Sequence, residues 1–398
     1  MIEKMRILFI HEVNYANKVI FEMHEFPELL ALRGHDVSFF HFPEAADHPT
    51  RSLRTRRDRI AGRVHLDAEI ELITPPTLGG LAVERYVAPL ANLPSLGREI
   101  RHGAYDVIVL YAVPTTGWQT VAIARMAGVP VVFRALDVSH KIRANLSSPI
   151  IRMAEKYIYR NATVLSANNP AMAEYCIDLS GRTLLTEVHV PPIDLSHFEK
   201  SVCTDLRAEL GLTPGNRIVL YMGSFFHFSG LDTVMRGMVE QFAQYPELRL
   251  VLVGGGEIDG KLRAMAKQLG VADKVIFTGM VPYEKLPEYL KLADVAINPF
   301  KLELLTHVAL PHKVLQYMAA GVPVVSTALR GLRGILGDDS GVNWADAPED
   351  VAAIASKLAH LEKSALAAIS ATQSKRVRER FSMESAVEAF EETLFRLR

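Results

Sequence analysis

Short runs of apolar residues recur along the chain, each followed by a stretch with helical spacing. Arg6–His11, HDVSFFHF, Asp106–Ala112, VPVVFRA, TVLSA, Arg217–Met222, LRLVLV, ADVAINP and PVVST all read as strands, most of them apolar at nearly every position. Strands without a polar face are buried on both sides, and strands that alternate with helices form parallel sheets. SSPIIRMAEKYIYRNA has the spacing of an amphipathic helix, and RFSMESAVEAFEETLFRLR reads as a terminal helix capped by Ser382. The alanine-rich stretch up to Ser374 reads as helices that pack, and Gly341–Trp344 as a last edge strand.

With 398 residues, the alternation calls for two domains rather than one. The paired prolines Pro191-Pro192 suit a semi-rigid hinge. They divide an N-terminal domain, 1–193, from a second, 194–379.

Composition narrows the function. A net charge of −1 gives no drive toward nucleic acid. Cys176 and Cys203 are isolated and form neither a metal spacing nor a disulfide framework, which fits a reducing compartment. The opening apolar run is too short for a secretory leader, and no run approaches the ~20 residues of a membrane helix. The expected location is cytoplasmic. One segment departs from the even charge: TRSLRTRRDRIAGRV carries Arg51, Arg54, Arg56, Arg57, Arg59 and Arg63. Such a run is commonly a solvated, mobile segment. It could instead dock on anionic lipid at the inner face of a membrane, or take up an anionic acceptor.

Candidate chemistry lies at strand ends, where open α/β sheets bind ligands. The loop after the first strand, Glu12–Asn17, has no glycine, which argues against a dinucleotide enzyme. It offers Glu12, Asn14, Tyr15 and Asn17 as ligand-facing groups. The strand VPVVFRALDVSH brings Arg134, Asp137 and His140. The last two read either as ligand groups or as a capping Asp and a surface His. Gly254, Gly255, Gly256 and Glu257 follow LRLVLV, where glycines allow close backbone approach. After ADVAINP, Pro311 starts a short helix, His312 to about Ala320, that Gly321 and Pro323 end. Its first-turn amides suit an anion, and Lys313 stands beside them with Gln316 three residues on. The pair reads as a phosphate-plus-ribose site, or as a solvated lysine and its neighbour.

The pattern Pro311, Lys313, Gln316, Tyr317, Met318, Ala319, Gly321, Pro323, Val324, Val325 resembles the donor-binding signature of the GT-B retaining glycosyltransferases of family 4. Asp194 and Phe198 after the hinge, and the glycines after LRLVLV, add to the likeness. The resemblance implies two Rossmann-like, doubly wound domains facing each other across a cleft, with the closing helix 380–398 joined to the first domain, and a hexosyltransferase. The implied reaction moves a sugar from a UDP- or GDP-linked donor to an acceptor hydroxyl with retention, with no bound cofactor or metal. The acceptor would be a small molecule or a lipid-linked one, in bacterial glycan, glycolipid or glycosylated-metabolite synthesis. Lys313 and the amides near His312 would hold the diphosphate and Gln316 the ribose. Gly223, Ser224, Gly255, Gly256 and Glu257 would lie along the donor. Asp137 and His140 would approach the transferred sugar, with the acceptor near Glu12–Asn17 and Arg134.

The chain departs from the family where charge is usual. Ser224 and Ser229 occupy positions that are commonly basic, Val308 replaces a glutamate and Gln316 another. These departures point to a rival, a catalytically idle GT-B protein acting as a binding or partner subunit. A sugar-nucleotide epimerase would need more acidic and basic groups around the sugar than the sequence offers.

Overall fold

The computed structural model describes residues 3–43, 52, 54–77, 84–142, 148–181, 185–199 and 205–398. The chain divides into two compact units, Met1–Pro192 with Glu384–Arg398, and Ile193–Met383. Cys203 and Arg51 fall outside the described residues, and Cys176 is a free, buried thiol.

The first unit is an eight-stranded sheet. Its strands are β1 (Arg6–Ile10), β2 (Asp36–Phe40), β3 (Arg56–Ala61), β4 (Glu69–Thr74), β5 (Val107–Leu110), β6 (Val131–Ala135), β7 (Val164–Ala167) and β8 (Thr186–Val188). Their order is β3-β4-β2-β1-β5-β6-β7-β8, parallel throughout except for the antiparallel β3–β4 pair. The central strands VIVL and VVFRA are buried along their whole length, which is why they carry no polar alternation. The terminal helix Met383–Phe395 belongs to this unit. Glu391 on it meets Arg33 at 2.7 Å and His35 at 2.6 Å, and Phe390 packs on Phe26.

The second unit is a six-stranded, all-parallel sheet. Its strands are β9 (Arg217–Met222), β10 (Leu248–Val253), β11 (Val275–Gly279), β12 (Val295–Asn298), β13 (Val324–Thr327) and β14 (Asn343–Ala345). The order β11-β10-β9-β12-β13-β14 reverses direction between β9 and β12. One face is filled by Tyr221, Phe225, Met235, Met238, Leu250 and Leu252, all buried. The last edge strand is β14, starting two residues later than the sequence suggested.

The arginine run departs from expectation. From Arg56 on it is not a free cationic segment but the edge strand β3 and the turn after it. Antiparallel pairing sets Arg59 opposite Glu71, and the other arginines of the strand find carboxylates nearby. Arg57 reaches Glu71 and Glu99 at 2.5 Å each, Arg59 reaches Glu69 at 3.0 Å, and Arg56 reaches Asp58 at 2.6 Å. Arg63 turns inward and donates to the carbonyls of Tyr15 and Lys18. A charged edge also keeps a strand from pairing with other chains. No described helix is long and apolar enough to cross a membrane.

Candidate functional site

In the second unit, the crevice of a doubly wound sheet opens where the strand order reverses, beyond the ends of β9 and β12. Three loops meet there. The loop after β9 bonds to the one after β10, with Gly223 N–H donating to Val253 O and Phe225 N–H to Gly255 O. It bonds also to the loop after β12, through Lys301 N–H to Phe228 O. Gly254 has φ +128°, and a Cβ on it would lie 2.2 Å from the carbonyl oxygen of Gly223, so the approach of these two loops requires glycine.

The helix His312–Ala319 delivers Lys313 into this convergence. The ammonium donates to Tyr221 Oη at 2.6 Å and lies 4.0 Å from the Tyr221 ring centre and 4.6 Å from that of Phe300. Tyr221 passes the bond on, donating to Ser224 O at 2.9 Å. A second tyrosine on the helix, Tyr317, clamps it to the end of β9, accepting from Met222 N–H at 2.7 Å. The Cβ that Gly223 lacks would come within 2.9 Å of Lys313 Nζ.

Among the described residues, no carboxylate pairs with Lys313. The side chain is half-buried, and desolvation alone pushes its ammonium from 10.5 down to about 7. A cation held on aromatic faces, near the first-turn amides of a helix, is an arrangement that an anion completes. Gln316 is half-buried on the same helix, and Glu257 is exposed after Gly256. The serines at the usual basic positions do not replace the charge. Ser224 presents its carbonyl to Tyr221, and the Ser229 hydroxyl closes on its own loop at Phe226 O, 2.7 Å away.

In the first unit the corresponding strand ends are those of β1 and β5. Glu12 accepts from Thr115 N–H at 2.9 Å, and Asn14 closes a local turn on Ala16 N–H. Asn17 is exposed. Two expected ligand groups prove to be packing. Tyr15 is fully buried, its hydroxyl donating to Glu28. Arg134 is 1% exposed, in a two-pronged pair with Glu22 at 2.7 and 2.8 Å, and bonded to Ser166 Oγ and His189 O. The sequence placed Arg134 near a strand end, but its guanidinium points back into the core, where Glu22 awaits it.

Asp137 follows β6 with an exposed side chain. Desolvation by the surrounding protein, and then the Glu22 carboxylate, push its carboxyl up to about 6, although solvent screens part of that rise. His140 is held from one side only. Its Nδ1 lies 2.7 Å from Oε2 of Glu155, a buried carboxylate that also accepts from Ser139 N–H, Tyr159 and Tyr175. A carboxylate accepts, so Nδ1 carries a proton, and Nε2 is the ring nitrogen left to a ligand.

Tyr221, Phe300 and Glu155 escaped the sequence reading. Each looks like an ordinary core or helix residue, and only the fold sets it against a charge. Among the described residues, no cluster of three His, Cys, Asp or Glu could hold a metal ion.

Residues 203–380 match the family described as Glycosyl transferases group 1, and residues 23–190 match the Glycosyl transferase 4-like domain. The D-inositol 3-phosphate glycosyltransferase of Geodermatophilus obscurus is 30% identical over 71% of this chain and 67% of that protein. The one from Acidothermus cellulolyticus is 29% identical over 64% of this chain and 62% of its own length. The chain thus spans under two thirds of some curated relatives. Among solved structures, Anabaena HepE in complex with UDP and glucose aligns with a TM-score of 0.74, at 17% identity, covering 98% of this chain and 99% of the other.

Proposed function

Since the chain belongs to the group 1 glycosyltransferases of GT-B fold, we propose that it transfers a hexose from a nucleoside-diphosphate sugar to an acceptor hydroxyl, with retention and without a metal. One observation carries the reading: an ammonium without a carboxylate partner, at the strand-order reversal of the second unit, bordered by Gly223 and a helix N-terminus. The HepE structure, of the same fold, was solved with UDP.

Departure of a nucleoside diphosphate builds negative charge on its β-phosphate. Lys313 and the first-turn amides of His312–Ala319 stabilise that charge in place of a metal. The Tyr221 hydroxyl orients the ammonium. Gln316 takes a ribose hydroxyl, and the exposed backbone at Gly255–Gly256 with Glu257 lies along the donor. In the first unit, Glu12, Asn17 and Asp137 take acceptor hydroxyls. His140, fixed by Glu155, offers Nε2 to a sugar hydroxyl. The acceptor is a small molecule or a lipid-linked one.

The test is thermal stability with UDP, GDP, ADP and TDP in millimolar amounts. Ligand at 100 times its dissociation constant adds about 2.7 kcal/mol. The expected result is a clear rise with one nucleotide that Lys313→Ala abolishes. A specific observation favours the idle-partner reading: neither Ser224 nor Ser229 brings charge, and the Ser229 hydroxyl is engaged within its own loop. No stabilisation by any of the nucleotides would select that reading.

A further inference from the structure

Three helices of the first unit, Leu93–His102, Gly117–Ala127 and Ser148–Asn161, pack side by side. Their outward stripes differ from the rest of this nearly neutral chain. Arg98, Arg101, Arg152 and Lys156 are exposed and make no ion pair. Between them project Trp118, 44% exposed, Met126 and Ile150, each 71%, and Met153, 73%.

The same helices hold two carboxylates, and both are turned inward. Glu99 is 5% exposed and taken by Arg57 of β3. Glu155 is fully buried and taken by His140, Tyr159 and Tyr175. No exposed carboxylate is left on the three helices. On the helix beside Ser148–Asn161, Glu174 and Asp178 are exposed.

Apolar side chains rarely stand out of water in such a group on a monomer surface. Cations alone would suit any polyanion. Cations interleaved with a tryptophan, two methionines and an isoleucine suit a surface that is anionic outside and apolar a few ångströms in. We propose that this helical face docks on an anionic lipid bilayer, with the side chains of Trp118, Met126, Ile150 and Met153 entering the interface. The arginine-rich edge strand β3 is not the contact, because carboxylates neutralise its arginines. The proposal is independent of the donor-site reading, since every residue in it belongs to the first unit.

The experiment is co-sedimentation of the full chain with vesicles of phosphatidylcholine alone and of phosphatidylcholine with one-third phosphatidylglycerol. Binding is expected only to the anionic vesicles. It should weaken in 1 M salt, where the screening length falls to about 3 Å. Each basic residue near an anionic surface contributes about five-fold to the partition coefficient. R98Q/R101Q/R152Q/K156Q should therefore lower binding by ~100-fold or more. R56Q/R59Q on β3 should leave it unchanged. In the unsubstituted chain, brominated lipid should quench a tryptophan signal that Trp118→Phe removes. Failure to bind anionic vesicles overturns the proposal, as does undiminished binding by the fourfold variant. Heparin binding without vesicle binding would assign the face to a soluble polyanion instead.

Discussion

Arg134 and Lys313 are both cations near the ends of central strands, and the fold treats them in opposite ways. Arg134 is sealed in the first unit with a carboxylate on one side and hydrogen-bond acceptors on the other. Lys313 has aromatic faces, a phenol and no counter-charge. A buried charge costs several kcal/mol unless it is paired, so Arg134 and Glu22 are each other's solvation. Lys313 bears its desolvation without relief, and an unrelieved cost at a strand-order reversal is what a ligand can remove. Charge near a strand end is therefore not in itself a sign of function. What matters is whether the protein has already answered it.

The comparison breaks most visibly at Arg134. Arg134→Ala should cost about 3–5 kcal/mol, because it strands a buried Glu22. Urea unfolding should show it as a lower midpoint, while any nucleotide effect at Lys313 persists. Lys313→Ala should do the reverse. The unliganded protein should be as stable as before or slightly more so, and the nucleotide-dependent gain of about 2.7 kcal/mol should vanish.

The pH dependence sharpens the contrast. The Lys313 ammonium titrates at about 7 in the folded chain and at 10.5 when unfolded. Between those values the unfolded chain binds more protons, so the contribution of Lys313 to stability rises with pH across that window. A phosphate prefers the charged form, so nucleotide binding should take up a proton there. Affinity should fall by up to about tenfold per pH unit above 7. Calorimetry in buffers of different ionisation enthalpy would detect the uptake; its absence would mean that Lys313 is already charged before binding. The smallest effect is expected of Tyr221→Phe, which removes the bonds to Lys313 and Ser224 O. It should cost about 1 kcal/mol in nucleotide affinity and little in fold.

Much of the architecture was legible because it rests on local patterns. Continuous apolar runs such as VIVL and LRLVLV can only be strands buried on both faces, and their alternation with helices leaves few topologies. The helix carrying Lys313 announced itself through Pro311 and Gly321, and it runs from His312 to Ala319. The strands β3 and β4 were not read, because RRDRIA is a polar edge segment held by pairing rather than by burial, and EIELIT breaks its apolar run with two glutamates. The arginine run misled for the same reason: its carboxylate partners lie on β4 and on a helix distant in sequence.

The sequence by itself determined the strand and helix succession, the glycosyltransferase signature and the position of Lys313. These depend on residues within one turn or one strand of each other. Tertiary structure alone decided which charges are spent. It gave Glu22 to Arg134, Glu99 to Arg57 and Glu155 to His140, and it left Lys313 against Tyr221 and Phe300 with none. Electrostatic partners are chosen by distance in space, to which separation along the chain is no guide, and so a cation can be neutralised in one unit and left without a carboxylate in the other.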